Sequence, residues 1–511
     1  MTDATSEPAS PLPQGVGKCG PGFWIAGIIL LAVLSWGIYG FLQQILHGLI
    51  VTGMRTIGQG GAAWGLYIAF DVYFIGVSFA GIAVAALVRL LAIADLRPLT
   101  RIAELLTLVT LPLGALVVLA DLGRPFHGLF SLPRVARPHS PFFGTFTLVV
   151  AGYFFSSLVF FFLAGRSDAG WMRDHARGSL KWFYRLWAAG YTGTRDESER
   201  HQRTSFWLSI FILPVLVTAH STLGFIFGIQ GGRPGWFSAL QAPGFVVMAG
   251  VSGIGALIVV AGLIRKVLHL ENQIRPEAIR WLGNMLWVLI LVYLYFMVVE
   301  ELTANYASST LETHVAHEIV SGHYAGWFWT VVITLVVPMF ILLVMGITGF
   351  QSIALSMFCG ATVQVAALLK RLLIVVPSQT HGLLLPYPEG TYRISVTEIS
   401  VTAALTAFGV LMFLVFVKIF PIIPLDRKTP ASQAVEPVES HRRHALRLSI
   451  FAMTLLLGLA LTVGGLVFSA RYGTQPFLDP VVPFSPVIFI VGIMLSFSAA
   501  AIYEIVPGPM K

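Results

Sequence analysis

The side chains of this sequence that could do chemistry stand out because almost everything around them is apolar. Asp71 closes the run Trp64-Gly65-Leu66-Tyr67-Ile68-Ala69-Phe70-Asp71, and Ser78 follows in the next apolar residues. Spacings of four and seven put Tyr67, Asp71 and Ser78 on one face of a helix. His220 lies in Val217-Thr218-Ala219-His220-Ser221, and Glu300 and Glu301 end another apolar stretch. An ionisable group deep in hydrocarbon costs roughly 2.5 to 3.5 kcal/mol, so each one kept there needs a partner or a purpose. A carboxyl group and an imidazole held together can take two protons from a hydroquinone or return them to a quinone. Asp71, His220 and Glu300 are therefore the catalytic candidates.

Each has a plainer reading. A lone membrane histidine is often a hydrogen-bonding packing residue, and Glu300 and Glu301 near an interface could simply be solvated carboxylates. Asp71 is the least ordinary, because no basic residue in its own helix is near enough to neutralise it. Asp121 and Arg124 read best as a structural ion pair at a helix end. Glu104, at the start of the third apolar stretch, Glu301, and Glu504 near the end of the last are candidates for a proton path, and each is as easily an interfacial charge.

The remaining histidines and cysteines restrict the cofactors. His220 is the only histidine deep in an apolar run, whereas His47, His127, His139, His314, His317, His323 and His381 fall at ends or in loops. No pair of axial ligands is available, so no haem is expected. The two cysteines, Cys19 and Cys359, cannot hold an iron–sulfur cluster, which needs about four ligands. No metal site is expected. Electrons exchanged with a quinone would have to pass to a cofactor in a partner protein.

The elements that position these groups follow from composition. Of the 511 residues 56% are hydrophobic and 11% charged, against about 25% charged in soluble domains. Apolar runs of roughly 20 residues, the length that spans about 30 Å of hydrocarbon as a helix, recur along the whole chain. Their continuity excludes the short alternating segments of a β-barrel. Spans are expected near 21–42, 63–90, 101–122, 141–164, 205–229, 244–265, 281–302, 325–347, 352–374, 397–420, 447–470 and 484–505. The fold class is thus an all-α integral membrane bundle of about twelve helices.

The net charge of +8 points to inner loops rather than to nucleic acid. Arg166, Arg173, Arg177, Lys181 and Arg185 lie on one side with Arg265, Lys266, Arg427 and Arg447. The stretch 303–324 on the other side has no Lys or Arg. Both termini then fall on the cytoplasmic side, and Asp71 and His220 in the outer half. The short gap at Gly349 is the weak point, since two spans there could be one broken helix. Residues 1–20 read as a cytoplasmic tail, 21–425 as the main membrane domain, 426–446 as a linker and 447–511 as a two-helix extension.

Several stretches in order resemble the NrfD/PsrC family, the membrane subunit of polysulfide reductase-like enzymes and of alternative complex III. They are Trp64 to Asp71, then Asp121-Leu122-Gly123-Arg124-Pro125 with Ser140-Pro141, then Ala219-His220-Ser221 with Arg233-Pro234-Gly235-Trp236. Tyr295 to Tyr306, Leu369 to Ser378 and Phe420 to Pro424 complete the set. The resemblance covers about residues 55–425, and the main domain looks nearest to the alternative complex III members. Those members commonly carry His where Asp121 stands and Trp-Asp where Phe142-Phe143 stands. The resemblance implies two four-helix bundles with peripheral helices in a bacterial inner membrane. It implies a quinone site, for menaquinone or ubiquinone, among the second to fifth helices near the outer surface, with Tyr67, Asp71 and His220 as its residues. Asp121 and Arg124 would shape the outer loop. The implied partners are a ferredoxin-like iron–sulfur subunit with a molybdopterin-type subunit or multihaem cytochromes beyond it. A secondary transporter and a passive membrane anchor are the competing readings, and no internal repeat favours the transporter.

Overall fold

The computed structural model describes residues 12–54, 61–135, 138–140, 144, 148–176, 178, 180–306, 309–381, 390–425, 441–472 and 485–505. The described chain is helical almost throughout. Helix α1 is Pro21–His47, α2 Leu66–Leu91, α3 Thr100–Asp121 and α4 Pro125–Val135. A π-helical turn, Leu148–Phe154, runs into α5, Phe155–His175, followed by α6, Lys181–Ala188. Next come α7 Arg195–Gly228, α8 Gln241–Val267, α9 Pro276–Tyr306, α10 Thr310–Val320, α11 Ala325–Thr348, α12 Ile353–Val375 and the short α13 Pro377–Thr380. Helices α14 Val396–Ile419, α15 His441–Tyr472 and α16 Ser485–Ile505 complete the chain.

Eleven of the described helices are long and apolar enough to cross a membrane. The remaining expected span, 141–164, begins outside the described residues and continues as the π-helical turn and α5. The linker expected at 426–446 also lies mostly outside them. Gly349 takes φ 69 between α11 and α12, a left-handed conformation suited to a residue without Cβ. The two helices pack against each other as a hairpin, so the gap there joins two spans.

Helices α2, α3, α5 and α7 pack as one four-membered bundle, and α8, α9, α11 and α12 as a second. Contacts of α2 with α8 and α12, and of α7 with α8, join the two. Helices α1 and α14 pair beside α3, and α15 pairs with α16, which in turn touches α4, α5 and α7. Burial follows this plan. The most apolar part of α2 is 72% buried, whereas those of α1 and α15 are each 11% buried and leave their other faces for lipid. Helices associate in lipid by close contact of small residues, and Gly81 is such a contact. A Cβ there would fall 1.9 Å from Thr107 Oγ1 and 2.0 Å from the Ala103 carbonyl oxygen.

Helix starts follow local chemistry. Thr194 accepts from the Glu197 amide to begin α7, with Asp196 and Glu197 in the positive first turn. Ser395 and Glu398 form a capping box at α14.

Candidate functional site

The expected site residues separate into two constellations on α2. The first lies where α2 and α14 begin and α3 ends. Tyr67 is fully buried and donates from its hydroxyl to Gln44 Oε1 of α1 at 2.8 Å. Gln44 in turn donates to the carbonyl of Ala120. One turn further along α2, Asp71 is only 8% exposed and forms no hydrogen bond or ion pair among the described residues. Gly114 of α3 leaves room for it, since a Cβ there would lie 3.2 Å from Asp71 Oδ1. Asp121, at the end of α3, lies within electrostatic reach of Asp71, and its Oδ1 is buried with no partner.

The loop before α14 closes this end. Tyr392 accepts from the Leu66 amide at 2.6 Å and donates to Glu398 Oε1 at 2.8 Å. Burial, then the Glu398 carboxylate beside it, holds the Tyr392 phenol far above its ordinary pKa, so it stays a donor. Apolar Met54, Val117, Ala120 and Val401 pack around Tyr67, with Phe70 partly buried against them.

The second constellation lies deeper along α2. Here His220 does not meet Asp71. Its Nδ1 contacts the carbonyl of Leu216 at 2.8 Å and its Nε2 that of Ile75 at 3.0 Å. A neutral ring donates to only one of these carbonyls; Leu216 is on α7 itself, so the approach to Ile75 is what links α7 to α2, with the ring between Phe79 and Tyr153. Ser78 belongs to this group and not to the site of Asp71. It donates to Ile75, while Tyr153 and Thr107 donate to its carbonyl at 2.8 and 2.7 Å.

Asp121 and Arg124 do not form the expected ion pair among the described residues. Arg124 is exposed, while the Asp121 oxygen turns inward. Glu300 is not simply solvated, because Lys370 Nζ of α12 reaches its Oε2 at 3.0 Å. Glu301 Oε2 is buried without a partner. Next to Lys370, Arg371 is buried with its guanidinium 4.5 Å over the Phe245 ring, and its Nε and Nη1 have no partner. At the opposite end of the protein Glu104 binds Arg89 at 2.7 Å, and Glu504 binds Arg166 at 2.7 Å.

Gln44, Tyr392, Glu398, Lys370 and Arg371 are absent from the residues expected from sequence, although the last two carried a signal. Two adjacent cations inside Leu368-Leu369-Lys370-Arg371-Leu372 incur the same membrane cost that drew attention to Asp71. The Ser-x-x-Glu pattern at Ser395 is a helix-start signal that explains Glu398 locally, but its contact with Gly53, 345 positions away, has no local sign.

Glu312 of α10 accepts from the Gly235 amide at 2.6 Å and ties the amphipathic outer segment to the loop before α8. Burial pushes its carboxyl above the usual range, against the lowering effect of that amide. Nearby, Trp64 and Trp236 stack at 5.7 Å, and Trp236 donates to the Ile374 carbonyl. No group of three or more His, Cys, Asp or Glu arranged to hold a metal occurs among the described residues.

Comparison with known proteins agrees with this architecture. A Halobacterium salinarum protein, provisionally named as a membrane subunit of dimethyl sulfoxide reductase, is 30% identical over 65% of this chain and 71% of its own. A selenate reductase subunit of Mesobacillus selenatarsenatis is 24% identical over 81% and 97%. An Hdr-like menaquinol oxidoreductase integral membrane subunit of Archaeoglobus fulgidus is 25% identical over 78% and 93%. Residues 56–382 match the family described as polysulphide reductase, NrfD, and the chain belongs to that family.

Proposed function

We propose that this chain is the quinone-handling membrane subunit of a multi-subunit oxidoreductase, with its basic end on the cytoplasmic side of a bacterial inner membrane. The observation that carries the reading is Asp71, a carboxyl group inside a membrane bundle with no hydrogen bond or ion pair among the described residues, within electrostatic reach of Asp121, whose Oδ1 is buried without a partner among them. Buried polar atoms are nearly always satisfied, so the orphaned Oδ1 of Asp121 near the unbonded, largely buried carboxyl group of Asp71 is best explained by a ligand. A neutral aromatic ring bearing hydroxyl or carbonyl oxygens fits these residues, and Tyr67 and Phe70 supply the apolar and aromatic wall.

When bound, a quinone supplies two-electron, two-proton chemistry at this end of the bundle. Asp71 takes or returns the proton at one ring oxygen, and Asp121 provides the second carboxyl group. The bond from Tyr67 to Gln44 fixes α2 against α1, and Gly114 keeps the Asp71 side chain free to move against α3. His220 holds the frame and does not exchange the proton. The site so defined lies between α1, α2, α3 and α14.

Electrons leave or enter through a partner. The relatives are named as a membrane subunit of dimethyl sulfoxide reductase, a subunit of selenate reductase and a membrane subunit of a menaquinol oxidoreductase. Those names support a partner iron–sulfur subunit of the ferredoxin type with a molybdopterin-type subunit beyond it. Glu301, Lys370 and Arg371 support a proton route in the second bundle that is separate from the ring site.

Asp71→Asn in the assembled complex tests the assignment. Loss of a positioned acid–base group lowers turnover about 100-fold or more. The expected result is that loss in quinone-linked turnover, with unchanged activity of the soluble subunits toward an artificial electron carrier. Normal quinone-linked turnover would leave the chain a passive anchor.

A further inference from the structure

A crevice at the basic end, unrelated to the site of Asp71, is built for an anion at the membrane surface. It lies between the end of α2 and the first turns of α7, is open to its surroundings with a volume of about 540 Å³, and is lined by Arg89, His201, Gln202, Arg203, Ser205, Phe206 and Trp207. Its level in the membrane follows from α7 itself. The helix has 34 residues and is therefore about 51 Å long at 1.5 Å per residue. That exceeds a hydrocarbon core of about 30 Å. The charged part ends at Arg203 and the apolar part begins at Phe206. The crevice sits at this boundary, which is where phospholipid headgroups lie.

Charge is distributed unevenly around it. Arg195 pairs with Glu199, Arg200 with Asp196, and Arg166 with Glu197 and Glu504. Arg203 is exposed and has no acidic partner among the described residues. Arg89 gives Nη2 to Glu104 at 2.7 Å and Nη1, more weakly, to the Ala85 carbonyl at 3.4 Å, rests on the Phe160 ring at 4.0 Å, and lines the crevice with its side chain 20% exposed. His201 turns Nδ1 toward Glu504 at 3.1 Å. The outer wall is aromatic and open to lipid. Phe206 is 45% exposed, and Trp207, 57% exposed, stacks on Phe211 at 6.2 Å. Basic groups that meet an exposed aromatic wall at headgroup depth match a phosphate with acyl chains attached.

We propose that this crevice holds the headgroup of an anionic phospholipid, with Arg203 and Arg89 on the phosphate and Trp207 and Phe206 along the first part of an acyl chain. A free phosphate would use the arginines but not the aromatic wall. The inference does not depend on quinone chemistry, since none of these residues belongs to the proposed ring site.

The test uses the purified complex, stripped of loosely bound lipid in detergent and titrated with dioleoyl-phosphatidylglycerol, dioleoyl-phosphatidylcholine or inorganic phosphate, with bound lipid counted by native mass spectrometry. One tightly retained phosphatidylglycerol is expected, weakened at least ten-fold in Arg203→Glu and to a lesser degree in Trp207→Leu. Arg203→Gln, a milder exposed change, is expected to fall between wild type and Arg203→Glu. Equal retention in wild type and Arg203→Glu would overturn the proposal, as would equal retention of phosphatidylcholine. Displacement of the lipid by millimolar inorganic phosphate alone would overturn it in favour of a simple anion site. Crosslinking of a photoreactive residue at Gln202 to a second polypeptide in the intact complex would overturn it in favour of a protein contact.

Discussion

The Tyr67 hydroxyl donates to Gln44 Oε1 at 2.8 Å, and through this bond the peripheral helix α1 becomes part of the site on α2. The contact turns Tyr67 away from His220 and toward α1, α3 and α14. The side chain that a helical face groups with Asp71 therefore serves that site as a brace, with its hydroxyl already committed to protein.

Tyr67→Phe removes this bond and strands the Gln44 oxygen. A buried unsatisfied acceptor costs about 1 to 3 kcal/mol. The expected outcome is a lower melting temperature of the complex and a raised KM for a short-chain quinol, with kcat changed far less than in Asp71→Asn. A kcat loss equal to that of Asp71→Asn would place the phenol among the proton-exchanging groups.

His220 is expected to behave as a clamp. Of its two contacts with backbone carbonyls, the one with Ile75 ties α7 to α2 while the one with Leu216 stays within α7, and side-chain hydrogen bonds between membrane helices average about 0.6 kcal/mol. His220→Ala adds a cavity and should lower stability. His220→Gln keeps a donor for one carbonyl and should recover most of that stability together with quinone-linked turnover. Assembled but inactive His220→Gln would restore His220 to the chemistry.

Lys370 and Glu300 join α12 to α9 at 3.0 Å. Removing one member of a fully buried pair costs about 3 to 5 kcal/mol. The cost is smaller here because the Glu300 side chain keeps 29% exposure. Lys370→Met should destabilise more than Glu300→Gln, since it leaves Glu300 and Glu301 together without a cation. The double variant should melt above Lys370→Met, and a double-mutant cycle of thermal stabilities with no coupling would show that the pair is not formed.

The two C-terminal helices are held by Glu504, which meets Arg166 at 2.7 Å and His201 at 3.1 Å. Glu504→Gln should loosen α16 from α5 and α7, seen as faster proteolysis of the C-terminal segment with the site of Asp71 unaffected. Arg166→Met takes the shared guanidinium from both Glu197 and Glu504, leaving Glu504 only His201 and Glu197 its bonds to Thr192 and Gly193, and should be the more damaging change. Equal proteolysis in wild type and both variants would mean that apolar contacts alone hold the extension.

The architecture was legible in the sequence because a membrane writes its thickness into apolar run length. Nearly every expected span reappears as a helix, and Gly349, where two spans could equally have been one broken helix, turns the chain by a conformation open to glycine. The cost of burying charge likewise singled out Asp71 from one helix alone.

Which residues meet was not legible, because helical spacing fixes a face without naming the neighbour across from it. Asp71 and His220 have comparable depth and cost in the sequence, yet the His220 ring meets the Ile75 carbonyl one turn deeper along α2. The groups gathered at this end of α2 are far apart in the chain: Gln44 bonds Tyr67, Glu398 bonds Tyr392, and Asp121 lies within electrostatic reach of Asp71. By itself the sequence determined the helices and the few charges that must find a purpose inside them. Only the packing of α1 and α14 against α2 and α3 decided which of those groups is left without a partner among the described residues, because that depends on distances between helices that no local pattern encodes.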